Sequence, residues 1–371
     1  MERFKLVENK SLTKQKKRVL YVAESFASGV FTYLVELTNN LCDEFEIYIA
    51  YGERKETPHN FKTYFNKKIH FIKVENFTRS ISPRKDVLAF LELKKIYKKI
   101  NPNIIHLNSS KAGVLGRFAF NGKKTKMFYT PHGYSFLMQN YSPVKRMIFK
   151  FIEKLCSLRQ CETISCSLGE HKETLKLTSN AIYVNNGIDI SELKKLVKNN
   201  EKKVLNNNKF RIFTVGRISF QKNPQLFNKI AENFPSVDFI WIGDGELKSK
   251  LTAPNIKVLG WLNRKQTISE LMNANAFILT SLWEGLPMSL LEAMYLKKIC
   301  LVSNVIGNKD VVHDGENGFV CDNLQEFIAK IKKVIKADCK DITVNAYEDV
   351  IRQYNSVQMI SEYRNIYKKE V

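Results

Sequence analysis

The chain has 371 residues, 44% of them hydrophobic and 11% aromatic, and a formal net charge of +22. Such a length and composition exclude a disordered chain and a single small core, and they fit two domains. No apolar run reaches the roughly 18 residues of a membrane span, and the lysine-rich start lacks the apolar centre of a secretory signal.

In chain order, residues 1–16 read as a basic tail. Arg18 to Ala23 is a nearly continuous apolar strand, as a buried parallel sheet requires. Glu24-Ser25-Phe26-Ala27-Ser28-Gly29 then leads into an amphipathic helix through Leu41. Gly29, before that helix, lets backbone amides approach a phosphate closely; a plain tight turn is the other reading. Further strands are expected at 45–50, 69–74, 104–107, 126–129, 162–166 and 181–184, with helices between most of them. Repeated strand–helix units imply an α/β domain with a parallel sheet covered on both faces, spanning 17–195. A stretch rich in Lys and Asn, 196–209, is the expected linker. A second α/β domain, 210–349, has expected strands at 210–215, 237–242, 256–259, 276–279 and 299–302. Residues 350–371 are expected to form a final helix, with Tyr354, Met359, Tyr363 and Tyr367 as its large apolar contacts. Two doubly wound domains facing each other place a cleft at the carboxyl ends of both sheets.

The densest chemistry lies at Glu284-Gly285-Leu286-Pro287-Met288-Ser289-Leu290-Leu291-Glu292, after the strand at 276–279. Pro287 suits the first helical position, where its missing N–H costs nothing. The amides of Met288 and Ser289 are then free helix N-terminal donors for an anion. Glu284 lies in the loop and Glu292 about one and a half turns into the helix. One carboxylate can meet a sugar and the other a ribose, with phosphate between them. Gly216-Arg217 to Lys222-Asn223-Pro224 follows the first strand of the second domain. There Arg217 offers a bidentate fork and Lys222 a point charge for a diphosphate. Thr130-Pro131-His132-Gly133 ends a strand of the first domain, so His132 is expected to point into the cleft. Asn185-Asn186-Gly187 reads as a left-handed turn; Gly243-Asp244-Gly245 and Gly260-Trp261 read as turns or as a nucleotide-flanking backbone.

These motifs resemble the E-x7-E, Gly-Arg…Lys-Asn and Asn-Gly-Ile-Asp signatures of retaining glycosyltransferase family 4, and the resemblance covers nearly the whole chain after the tail. It implies the GT-B fold: two Rossmann-like domains facing a cleft, with a C-terminal helix crossing back to the first. It implies sugar transfer from a nucleoside diphosphate, UDP being commonest, to a saccharide or polyprenyl-diphosphate-linked acceptor in capsule or O-antigen synthesis. By the same resemblance, Arg217 and Lys222 neutralise the leaving diphosphate, with Gly29, Gly216 and Gly285 to Ser289 around the donor. Glu284 positions sugar hydroxyls, Glu292 accepts from the ribose, and His132 lies beside the anomeric carbon. The stretch after His106 lines the acceptor side, with a purely structural His106 as the alternative. The family often has a double glycine where this chain has Ser28-Gly29, which puts that turn's geometry in question. A nucleotide-sugar epimerase or hydrolase on the same fold, and a silent partner subunit, are the competing functions.

No Asp-x-Asp triplet occurs, so neither metal nor cofactor is expected, with cations and helix amides carrying the counter-charge. The seven cysteines suit a reducing cytoplasm. Cys156, Cys161 and Cys166 match no common metal spacing and are expected to pack in the core. The dispersed lysines, without nucleic-acid signatures, argue against nucleic acid and for an anionic membrane face with an anionic substrate. An AT-rich genome is the bland alternative. The basic, apolar segment 145–150 is the expected membrane contact, an ordinary amphipathic helix being the plainer reading.

Overall fold

The computed structural model describes residues 16–200 and 209–369. Residues 1–15 of the expected tail, 201–208 of the expected linker and the last two residues lie outside them. The first sheet contains β1 (Lys17–Ala23), β2 (Phe45–Tyr51), β3 (His70–Lys73), β4 (Ile104–Asn108), β5 (Lys126–Thr130), β6 (Glu162–Ser165) and β7 (Ala181–Tyr183). All pair in parallel, in the order β3-β2-β1-β4-β5-β6-β7. Between them run α1 (Ser28–Leu41), α2 (Pro83–Ile100), α3 (Ser110–Ala119), α4 (Pro143–Cys156) and α5 (Leu168–Leu175), with α6 (Ile190–Asn200) after β7.

The second sheet contains β8 (Arg211–Val215), β9 (Asp238–Ile242), β10 (Ile256–Gly260), β11 (Ala276–Leu279), β12 (Ile299–Ser303) and β13 (Phe319–Cys321), ordered β10-β9-β8-β11-β12-β13. Its helices are α7 (Pro224–Glu232), α8 (Arg264–Met272), α9 (Met288–Tyr295), α10 (Leu324–Lys336) and α11 (Lys340–Gln353), followed by α12 (Ser356–Lys369). Strand order reverses between β1 and β4 and between β8 and β11, and a parallel sheet binds ligands beyond its carboxyl ends at such a reversal. The loops 24–29, 109–110, 216–223 and 280–287 leave the sheets there.

Two boundaries differ from expectation. The start of the presumed linker is helical: Ile190, Leu193, Leu196 and Val197 recur at helical spacing and pack into the second domain's core, so α6 belongs there. The final helix is broken, with α11 ending at Gln353 and α12 starting at Ser356. At the break, Ile188 N donates to Tyr354 O and Ser356 N donates to Ile188 O, each at 2.9 Å. Gly187 presses against the backbone of Asn355, where a Cβ would overlap. It is absent from the positive-φ glycines, so close approach explains it rather than the left-handed turn expected.

Beyond the break α12 crosses to the first domain. Met359, Ile360, Tyr363 and Tyr367 are buried with Tyr21, Leu37 and Phe45 in one core. Arg364 Nε donates to Glu44 Oε1 at 2.5 Å.

Helix α4 is oriented unusually. Its inward face buries Glu153, paired with Arg117 Nη2 at 2.5 Å and accepting from Tyr129 Oη at 2.9 Å. Its apolar stripe, Val144, Met147, Ile148, Phe151 and Leu155, faces outward, with Met147 66% and Phe151 62% exposed. Cys156, Cys161 and Cys166 are buried free thiols.

Candidate functional site

The site is built at the reversal of the second sheet. Gly216, after β8, has φ +148°, and a Cβ there would stand 2.9 Å from Lys222 Cε. Glycine therefore permits the turn and clears the path of the lysine. Thr280 Oγ1, after β11, donates to Lys222 O at 2.7 Å and ties the two loops together. Lys222 Nζ donates to Glu284 Oε1 at 2.6 Å in a pair that is 15% and 8% exposed. Gln221 Nε2 supports the same carboxylate at 3.3 Å and donates to Trp283 O at 2.9 Å. Arg217 stands at the rim, 3.0 Å from Glu246 Oε2 and 2.5 Å from Glu56 Oε1 of the first domain.

Pro287 has φ −78° and ψ 115° and stands just outside α9. It caps the helix rather than occupying its first position, because the extended ψ turns the chain before Met288. Leu290 N donates back to Pro287 O, so the amides of Met288 and Ser289 precede the first intrahelical bond. Glu292 is the fifth residue of α9 and largely buried, with Oε1 3.2 Å from Arg264 Nη2. Burial raises its carboxyl pKa, and Arg264 opposes that rise. Arg264 also meets Glu192 of α6 at 3.2 Å.

The two domains touch at glycines. A Cβ on Gly285 would lie 3.0 Å from His132 C, 3.1 Å from Cys166 Sγ and 3.2 Å from Gly133 N. Leu286 is buried in the second domain's core. Opposite Gly285, His132 and Gly133 take φ +54° and +95°. A buried carboxylate holds that turn: Glu170 accepts from Gly133 N at 2.6 Å and Cys166 N at 2.8 Å. Asp310 of the second domain accepts from Gly169 N at 2.9 Å and Gly307 N at 3.1 Å, bridging the domains behind it.

His132 meets Asn108 Oδ1 through Nε2 at 3.0 Å and stands edge-on to Tyr33. Asn108 Nδ2 donates to His106 O at 3.1 Å. With Oδ1 thus assigned as acceptor, His132 Nε2 carries its proton and Nδ1 keeps its lone pair. Burial lowers the His132 pKa to about 3, so the ring is neutral near pH 7.

His106 takes the structural of its two readings: it is fully buried, with Nδ1 2.6 Å from Tyr367 Oη and Nε2 2.8 Å from Thr130 Oγ1. It joins α12 to the sheet. Gly29 is the second residue of α1 rather than the residue before it, and Ser28 takes the left-handed conformation, φ +50°. Both are exposed, and a Cβ on Gly29 would meet nothing within 4 Å. The serine thus completes the turn, and an open backbone edge faces outward. Gly243 and Gly260 take φ +136° and +73°, and Gly243 N donates to Gly260 O at 2.8 Å.

Glu56, Glu170, Gln221 and Asp310 were not found by sequence reasoning. Glu56 and Gln221 carried a signal, since both lie in loops leaving strands at the cleft edge. Glu170 and Asp310 carried none, because each joins a nearby amide to one far away in the sequence, Gly133 N and Gly169 N.

Known proteins resemble this chain in both halves. The family described as Glycosyltransferase Family 4 matches residues 27–192, and that described as Glycosyl transferases group 1 matches residues 197–350. An Escherichia coli UDP-Gal:alpha-D-GlcNAc-diphosphoundecaprenol alpha-1,3-galactosyltransferase is 30% identical over 82% of this chain and 85% of its own length. The E. coli O-antigen biosynthesis glycosyltransferase WbnH is 27% identical over 94% and 96%. Among solved structures, Anabaena HepE in complex with UDP-glucose superposes with a TM-score of 0.74 at 18% identity, covering 95% of this chain and 99% of its own.

Proposed function

The chain belongs to the family 4, group 1 glycosyltransferases, and from that premise we propose that it is a retaining enzyme that moves a sugar from a UDP-sugar to a lipid-linked saccharide in bacterial surface-polysaccharide synthesis. The observation that carries this reading is the cluster of Arg217, Lys222, Glu284 and the first amides of α9 at the reversal of the second sheet. The name of the E. coli galactosyltransferase supports the donor and the diphosphoundecaprenol-linked acceptor, and that of WbnH supports the polysaccharide.

In the proposed reaction, the bond from the anomeric carbon to the diphosphate oxygen breaks. The acceptor oxygen bonds to the same face of that carbon, and its proton passes to the departing phosphate. Arg217, Lys222 and the Met288 and Ser289 amides neutralise the charge that develops there, the largest single contribution in most such sites. These cations make the reaction independent of metal. As Lys222 turns toward phosphate, Glu284 is released to hold sugar hydroxyls. Glu292 accepts from the ribose, sharing its carboxylate with Arg264. Neutral His132 offers Nδ1 to the sugar. The outward stripe of α4, flanked by Lys145, Lys150 and Lys154, docks the enzyme on the anionic inner face of the cell membrane, beside its acceptor.

The test is a thermal-shift panel of UDP, GDP, ADP, CMP and dTDP on the wild type, Arg217→Ala and Glu292→Ala. A ligand bound only by the folded state raises Tm. Stabilisation by UDP that shrinks in both variants is expected. Stabilisation by none of them removes the donor site and favours a silent subunit.

A further inference from the structure

Arg217 is held from both sides of the cleft. Its Nη1 lies 2.5 Å from Glu56 Oε1 of the first domain, and its Nη2 lies 3.0 Å from Glu246 Oε2 of its own. The guanidinium presents its donors in a fixed fork, and carboxylate and phosphate fit that fork in the same way. Glu56 therefore occupies donors that a phosphate needs.

The segment carrying Glu56 is anchored. Arg54 Nη2 donates to both oxygens of Glu24 at 2.7 Å, and Arg54 N donates to Thr57 Oγ1 at 3.0 Å. Thr57 Oγ1 in turn donates to Phe26 O at 2.7 Å. These bonds fix the residues on either side of Glu56 to the loop between β1 and α1, the loop that ends at the open edge of Ser28 and Gly29.

We propose that Glu56 stands in for the donor's phosphate, holding Arg217 across the cleft and yielding it when a nucleoside diphosphate enters. This makes Glu56 a positioning residue that acts through Arg217 and weakens the hold on the diphosphate alone, since a monophosphate does not reach Arg217. The inference rests on the reading of Arg217 as a diphosphate ligand. A diphosphate displaces the carboxylate because it brings more negative charge to the same fork. A nucleoside monophosphate, lacking the second phosphate, leaves Arg217 with Glu56. When the diphosphate leaves, Glu56 takes the guanidinium back and assists release.

The experiment is calorimetric titration of the full chain with UDP and with UMP, on the wild type, Glu56→Gln, Glu56→Asp, Arg217→Ala and Glu56→Gln combined with Arg217→Ala. Aspartate keeps the charge on a shorter arm, so it tests reach and guards against a glutamine variant that folds poorly. Both Glu56 variants are expected to tighten UDP by about two- to fivefold, the range for a partly exposed ion pair, and to leave UMP unchanged. The gain disappears without Arg217. In turnover, KM for the donor falls while kcat does not rise. Unchanged UDP affinity, an equal gain for UMP, or a gain that persists without Arg217 overturns the role of Glu56 and leaves the functional reading intact. Full UDP affinity in Arg217→Ala, or no nucleotide binding by the wild type, overturns both.

Discussion

His106 and His132 lie one strand apart, and burial lowers both pKa values to about 3, with His132 adding to the shift of His106. An unfolded histidine titrates near pH 6.5. Between those values the unfolded chain binds protons that the folded chain refuses, so stability rises with pH across the window. The loss begins as pH falls below about 6.5 and grows by up to about 1.4 kcal/mol per pH unit for each ring. Melting curves from pH 4.5 to 7.5 should show this slope, and His106→Gln should make it shallower. An unchanged slope in that variant would mean that His106 is not held neutral. Catalysis should be insensitive to His132 titration between pH 6 and 8, because the ring stays neutral throughout. An inflection of kcat/KM in that range that disappears in His132→Gln would contradict the buried geometry.

At the scale of elements, α4 places an apolar stripe where solvent is. A helix of a globular protein ordinarily turns that stripe inward; here the buried Arg117–Glu153 pair faces inward instead. Replacing Met147 and Phe151 by Asp should abolish co-sedimentation with anionic vesicles. It should leave the unfolding free energy from urea titration within about 0.5 kcal/mol of wild type per substitution, because exposed positions away from caps and pairs contribute little to stability. Retained vesicle binding would move the membrane contact elsewhere. The sequence shows this helix as amphipathic, but not which side it presents, since Glu153 finds its partners on α3 and β5. The same limit explains the other differences. Strands such as 276–279 were legible because a strand covered on both faces is a continuous apolar run. β13 is three residues long and has no such run to read. The stripe of Ile190, Leu193 and Val197 was hidden by the Lys and Asn around it. Arg217, Lys222 and Glu284 were legible because loops at strand ends carry function. Their pairing, 62 residues apart for Lys222 and Glu284, was not.

For the whole molecule, the crossing of α12 ties the two domains into one unit. Its Arg364 reaches Glu44 across 320 residues of sequence, and Tyr367 closes over His106. Deleting residues 356–371 should leave the second domain, with its own sheet, as a cooperative unit. The first domain should lose its transition, because its core loses four large side chains and His106 loses its Nδ1 partner. Hydrogen exchange mapped by domain would show this, and a first domain still protected would mean that α12 only decorates it. Domains usually fold in the order in which they leave the ribosome. Here the half made first waits for a helix made after the second half. Until α12 is made, the first half carries an unfinished apolar seam, whereas the core of the second half is complete by Tyr354. A premature stop before residue 356 therefore damages the half made first.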